Sequence, residues 1–386
     1  MRDHLLGRPF KDWDIEVFGV EADDLHRLLK KLGQVNLVGR SFGVYKLTPR
    51  GTRDEIDVSI PRRDSRVGPG HRGIEVVGDP QMSVVEAARR RDLTVNAILY
   101  DLHKHEFVDP HGGVEDLGRK VLRAVDAETF LEDPLRALRA VQFAARLDFE
   151  PDPTLVTLCR QAPLDELPAE RVCWEWEKLL LRGVRPSRGL ALARSAAIQD
   201  RVFPLAADAG PQDVGGVLDR LAAHPHLPTD AHRWILMLSG WLAHGSPSAV
   251  EDCLDRMGLH RWSGVDVRKG TLALVCSWSL PLSTETDLRR LATLTRVEWA
   301  LWLREAIDPT TSMDGPRAMS AALGVLTEAL PPLILGRDLA QLGIPPGRHM
   351  GTLLREVYEA QLTGEIQEKT AALERAAAIW SKTRPG

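Results

Sequence analysis

The sequence predicts a small α/β head followed by an all-α arm, and three observations lead to that expectation. Strand-like alternation is confined to the segment before about residue 110. Helical spacing takes over from about Thr129. Turn signals at Arg185-Pro186, Gly210-Pro211, Pro225–Pro228 and Pro331-Pro332 cut the second region into separate helices.

The head opens on Asp12–Phe18, where Asp12, Asp14 and Glu16 alternate with Trp13, Ile15 and Val17. Val35–Val38, Val44–Leu47 and Glu55–Ile60 read as further short strands, with helices over Asp23–Leu32 and roughly Ser83–Leu99. Such a mixture predicts helices packed on one side of a sheet. In the arm, Leu135, Leu138, Val141 and Ala145 mark one apolar helical stripe, and Val172–Leu181 forms another segment of helix. Most of the ten tryptophans lie there, and we read most of them as core residues rather than stacking platforms.

Composition narrows the function classes. The chain has 386 residues, enough for two to four packed units, and is 44% hydrophobic and 27% charged, as in ordinary globular proteins. No run approaches the ~18 apolar residues of a membrane helix, and Met1-Arg2-Asp3-His4 has no apolar h-region. The four cysteines form no C-x-x-C pair, which argues against structural zinc and fits a cytoplasmic protein. Net charge is −4, so a nucleic-acid site would have to be local. Arg62, Arg63, Arg66 and Arg72 cluster, and Arg89, Arg90 and Arg91 are consecutive. A solvated face explains such runs as well as a phosphate site does.

Period-2 geometry points Asp12 and Asp14 the same way, and Glu55 and Asp57 share a face of a second strand. Carboxylates so arranged can hold two hard cations through oxygen, although a lone D-x-D also fits an acidic strand face.

Further motifs separate these readings. Arg2-Asp3-His4-Leu5-Leu6-Gly7 followed by Lys11-Asp12-Trp13-Asp14 resembles the catalytic motif of class II tRNA nucleotidyltransferases (CCA-adding enzymes) and bacterial poly(A) polymerases. Arg90-Arg91-Asp92-Leu93-Thr94-Val95-Asn96-Ala97 is similar to that family's RRD-x-T-x-NA motif, and Asp109-Pro110, Gly113 and Asp116-Leu117 to its DP-x-x-G-x-x-DL segment. Glu132-Asp133-Pro134-Leu135-Arg136-Ala137-Leu138-Arg139 is similar to its EDP-L-R motif, and Pro168–Arg171 with Glu175 to the neck helix that follows.

The resemblance implies a polymerase-beta-like small mixed sheet followed by an all-α neck, body and tail. It divides the chain into a catalytic head at 1–125, a neck with the base-reading motif at 126–185, a body at 186–300 and a tRNA-binding tail at 301–386. It implies template-independent addition of C and/or A from CTP and ATP to the 3′ end of tRNA. Two Mg2+ would sit on Asp12 and Asp14, with Asp57 as third acid. Arg2 would touch the triphosphate, Arg91 phosphate or sugar, and Arg139 the triphosphate again; Asp92 and Asn96 would share one helical face. Asp133 would accept from a base amine and Arg136 donate to a ring nitrogen, a pairing that fits C and A but not U or G. Asp133 would also cap the helix that Pro134 begins. Neither a membrane nor an obligate protein partner is implied.

Two departures stand out. The family has an apolar strand ending in Gly-Gly shortly before its Arg-Asp, where this chain has only Met1. Because the family often has valine there and GTG can encode valine or an initiator, that strand is expected upstream in the reading frame. At position 142 relatives often have arginine; here it is Gln142, with Arg146 one turn on. No His-Asp dipeptide follows residue 150, so the phosphohydrolase activity of some relatives is not expected. The competing readings are poly(A) polymerase, CC-only or A-only addition, a non-catalytic RNA-binding relative, and a small-molecule nucleotidyltransferase.

Overall fold

The computed structural model describes residues 1–9, 13–38, 44–66, 74–203, 213–228 and 231–383. The chain divides into two compact units, Met1–Ala207 with Arg256–Gly258, and Asp208–Asp255 with Leu259–Gly386. The expected head and neck both fall in the first unit.

The first unit begins with a short helix α1 (Arg2–Leu5), then β1 (Trp13–Glu16), α2 (Ala22–Leu32), β2 (Gly33–Val38), β3 (Val44–Pro49) and β4 (Ile56–Ser59). The four strands form a mixed sheet in the order β1-β4-β3-β2, with β1 parallel to β4 and the remaining pairs antiparallel. Alternation sorts the two faces. Tyr45, Leu47 and Val58 point to a core shared with Leu25 and Leu29 of α2, and Ile15, Val35 and Ile56 pack against it. The register then carries Asp14, Asp57, Lys46 and Asn36 as one row across β1, β4, β3 and β2 on the other face.

Beyond the sheet come a hairpin β5 (Arg62–Arg66) and β6 (Ile74–Gly78), helix α3 (Val84–Arg89), and a second hairpin β7 (Leu99–Asp101) and β8 (Glu106–Val108). Ser83 and Glu86 form a capping box that starts α3. Helix α4 (Gly113–Arg119) follows, its first N–H groups held by Asp109, which accepts from Gly113 N at 2.7 Å and Val114 N at 2.9 Å.

The helical part of this unit is α5 (Ala127–Glu132), α6 (Leu135–Leu147), α7 (Pro153–Gln161), α8 (Ala169–Arg182), α9 (Pro186–Ser195) and α10 (Ile198–Val202). Helix α6 is central and packs on α8 and α9. Gly189 lets α9 approach closely, since a Cβ there would lie 2.7 Å from the Val141 carbonyl oxygen.

The second unit is built largely of helices from Val214–Ala222 to Lys369–Thr383. Trp234 and Trp241 are wholly buried there, as Trp176 is in the first unit, consistent with core roles. Near the C-terminus Ile334, Leu339, Ile344, Leu353 and Val357 gather with Ala372 and Ala376 into a cluster of their own.

Candidate active site

Asp14 and Asp57 are register partners across the parallel β1–β4 pair. Their face of the sheet is open: Asp14 is exposed and the Asp57 side chain keeps 43% of its surface. Lys46 Nζ sits 3.8 Å from Asp57 Oδ1 and 3.1 Å from Glu55 Oε2, tempering the negative charge of the row. Asp12 lies outside the described residues.

Glu16, two residues beyond Asp14 on the same strand, is nearly buried and accepts from Arg90 Nη2 at 2.7 Å. Arg91 Nη2 lies 3.4 Å from its other oxygen, and Arg91 Nε is buried without an acceptor. Glu16 therefore docks the arginine pair on the strand that carries Asp14. Its alternation with Asp14 was visible in the sequence, but nothing there named its partners. The preceding Arg89 turns away to Asp126, and Arg63 pairs with Asp79.

The segment after Arg91 corrects one expectation. No helix runs through Ser83–Leu99: α3 stops at Arg89, and only a 3-10 turn at Thr94–Asn96 follows. The cause is local. Asp92 Oδ1 accepts from Leu93 N at 2.8 Å and from Asn96 Nδ2 at 2.9 Å, bonds that compete with a helical ladder. Asp92 and Asn96 still meet, through a turn rather than a helical face.

Asp92 is 6% exposed. Burial alone would raise its pKa, but the Arg139 charge and the hydrogen bonds from Asn96, Arg139 and Leu93 outweigh it and hold the carboxyl below the usual value. Arg139 Nε donates to Asp92 Oδ2 at 2.7 Å, so the guanidinium expected on a triphosphate is here tied to a carboxylate. At the other end Arg2 donates from Nη1 to Asn96 Oδ1, and from Nε and Nη2 to Asp3. Arg2, Asn96, Asp92 and Arg139 thus form one chain linking three distant segments of sequence. The Met1 ammonium has its pKa lowered by burial and by Arg2, while Asp3 and Asp14 oppose this, so α1 begins within the field of the Asp14 carboxylate.

Phe143 gathers the cations. Arg2, Arg139 and Arg146 lie 4.8, 5.4 and 5.5 Å from its ring centroid. To the sequence it was only one more apolar position on α6.

Asp133 is extended and accepts from Leu135 N at 3.0 Å, but α6 begins at Leu135 with Pro134 in the N-cap position, one residue later than expected. Asp133 Oδ2 is 3.9 Å from Arg171. Arg136 donates to the carbonyls of Thr129 at 2.7 Å and Arg90 at 2.6 Å. Two of its donors therefore join α5 to the Arg90-Arg91-Asp92 segment.

The DP-x-x-G-x-x-DL residues form a brace. Asp116 accepts from Thr94 Oγ1 at 2.7 Å, and Gly113 presses so close that a Cβ would sit 2.2 Å from the Thr94 carbonyl oxygen. Only glycine allows that approach.

Comparison with known proteins places this geometry. Residues 1–123 match the poly A polymerase head domain. A Multifunctional CCA protein of Nitrosococcus oceani is 35% identical over 237 residues, 60% of this chain and 54% of the relative. Residues 1–123 therefore carry a poly A polymerase head domain, and the similarity to Multifunctional CCA proteins extends over 60% of the chain. The chain spans about half the length of that curated relative. Two solved structures share the fold. Bacillus stearothermophilus CCA-adding enzyme in complex with CTP matches with a TM-score of 0.69 and 23% identity over 99% of this chain and 92% of its own. Thermotoga maritima CCA-adding enzyme complexed with tRNA matches with a TM-score of 0.67 and 22% identity, covering 98% and 89%. The α/β head with its helical arm is the fold that this chain shares with these two enzymes. Among the described residues, no helix is long and apolar enough to cross a membrane.

Proposed function

We propose that this chain adds C and/or A from CTP and ATP to the 3′ end of tRNA, without a template, by two-metal nucleotidyl transfer. The observation that carries the reading is the pairing of Asp14 with Asp57 on the open face of the head sheet. An acidic strand face with no further role would need no arginines beside it, yet Glu16 docks Arg90 and Arg91 there. Oxygen donors of this kind suit Mg2+, with Asp12 and Asp14 as its ligands and Asp57 as third acid. When bound, the metals would activate the attacking hydroxyl and stabilise the leaving pyrophosphate.

The chain's own groups supply the rest. Arg2, Arg91 and Arg139 offer guanidiniums to phosphate, and Asp92 with Asn96 holds Arg2 and Arg139 in place. Asp133 and Arg136 are the proposed base readers. Arg136 donates to the carbonyls of Thr129 and Arg90, which holds its guanidinium beside the Arg90-Arg91-Asp92 segment. Rejection of U and G by mispaired charged groups can reach ~10⁴-fold. The regions at 186–300 and 301–386 are proposed as body and tail, holding tRNA through its phosphates. The cytoplasm is the proposed compartment, as that of the substrate.

The test supplies purified protein with tRNA ending before its CCA and labelled CTP or ATP. Incorporation limited to C, A or both, lost on chelation, restored by Mg2+ and absent in Asp57→Asn, is the expected result. Long A tracts on any RNA would favour poly(A) polymerase instead. Binding of tRNA with no incorporation under any of these conditions would refute the transferase reading.

A further inference from the structure

Three guanidiniums surround Phe143, and they are not equally neutralised. Arg2 is bonded to Asp3, and Arg139 to Asp92. Arg146 differs: among the described residues no carboxylate lies within ion-pair distance of it. Its Nη1 donates to Gln142 Oε1 at 3.2 Å, one helical turn earlier. Gln142 is 1% exposed, so its amide is committed to the interior of α6's surroundings rather than to solvent. Burial lowers the Arg146 pKa, and the charges of Arg2 and Arg182 lower it further, with Asp3 and Glu175 opposing from a distance. A half-buried cation held by a neutral oxygen and an aromatic ring keeps its charge available to an anion. Had position 142 been a carboxylate, that charge would already be spent.

We infer that Arg146, on α6's last turn, is a fourth phosphate-binding guanidinium of the nucleotide site, beside Arg2, Arg91 and Arg139. Gln142 and Phe143 act as its positioning residues. This rests on the nucleotidyl-transfer reading above and names a residue for it. Phosphate could come from the nucleotide or from the RNA backbone. The nucleotide is favoured because Arg2, over the same ring, is bonded through Asn96 to Asp92 and adjoins a Met1 ammonium that senses Asp14.

The test compares the full-length protein with Arg146→Met, Arg146→Lys, Gln142→Leu and the Arg146→Met/Gln142→Leu pair. Equilibrium binding of CTP, with inorganic tripolyphosphate as competitor, is measured beside KM and kcat for CTP, ATP and tRNA. Arg146→Met should weaken CTP binding and raise nucleotide KM by about tenfold or more, with kcat and tRNA KM little changed. Arg146→Lys should recover part of the loss, because it keeps charge without the planar fork. Gln142→Leu should have a smaller effect of the same sign, and none in the Arg146→Met background. Should Arg146→Met fail to fold by circular dichroism, Arg146→Lys and Gln142→Leu decide. Unchanged CTP binding in the variants that fold, or a rise confined to tRNA KM, overturns the inference. A protein that binds CTP but never incorporates it counts against the transferase reading alone, and leaves the binding comparison standing.

Discussion

Replacing Asp92 by Asn tests whether the site is held together by charge or only by shape. The substitution is nearly isosteric, and the new amide oxygen can keep the bonds from Leu93 N and Asn96 Nδ2. Its NH2, however, would face Arg139 Nε, donor against donor, where a 2.7 Å ion pair stood. Breaking a fully buried pair costs about 3–5 kcal/mol. Arg139 keeps 35% of its side-chain surface, so solvent screens part of the loss, and roughly 2–3 kcal/mol is expected. That is about 30- to 150-fold in the local folding constant. Urea unfolding followed by circular dichroism measures it, with hydrogen exchange of peptides spanning residues 90–97 to localise it. The added substitution Arg139→Met removes the stranded cation, so the double variant should be more stable than Asp92→Asn alone. A double variant no more stable than Asp92→Asn would refute the argument.

The same pair has a pH signature. The folded Asp92 pKa is depressed, so its stabilisation is fully present above the ordinary carboxylate range and is lost as pH falls through the folded value. In Arg139→Met the largest remaining influence is burial, which raises the pKa. With only the Asn96 and Leu93 hydrogen bonds left to oppose it, the depression should shrink, and the loss of stability on the acid limb should shrink with it. An acid-limb slope that survives unchanged in Arg139→Met would show that other carboxylates produce it.

Two further outcomes follow from close contacts and from the arginine anchor. Gly113→Ala should lose about 1–3 kcal/mol, because its Cβ would overlap the Thr94 carbonyl, whereas Gly118→Ala in the same helix meets nothing within 4 Å and should be neutral or stabilising; melting temperatures of the two variants check this. Glu16→Gln should raise nucleotide KM by about threefold to tenfold, by loosening Arg90 and Arg91, and unchanged kinetics would show that the ion pairs serve stability alone.

The sheet was legible because alternation is a property of the strand itself. Asp14 and Asp57 could be assigned to the open face because Ile15, Ile56 and Val58 had to face a core. Their register was not legible, since pairing depends on the connections between strands. The hairpin β5–β6 was missed because Arg62 and Arg63 read as a charge run rather than as a strand. The helical neck was legible from period and turn signals, but its end was not. Helices α9 and α10 stay with the first unit because Gly189 brings α9 onto α6, a contact that a glycine alone does not announce.

The site residues show a different limit. Motif resemblance named Arg2, Asp92, Asn96 and Arg139 and gave the two arginines a triphosphate to touch, whereas the structure bonds all four to one another. The assignments are compatible if the bonds are understood as preorganisation. A guanidinium aimed at phosphate in water must first be ordered, at up to ~2 kcal/mol of rotamer entropy, and a buried carboxylate can do that ordering during folding. Asp92 does so for Arg139, and through Asn96 for Arg2. Where a carboxylate would cancel the charge that is needed, a neutral acceptor is the better holder, and Gln142 beside Arg146 has that character. A substitution that looks like loss of a phosphate ligand at one position then becomes gain of a positioning group for the next.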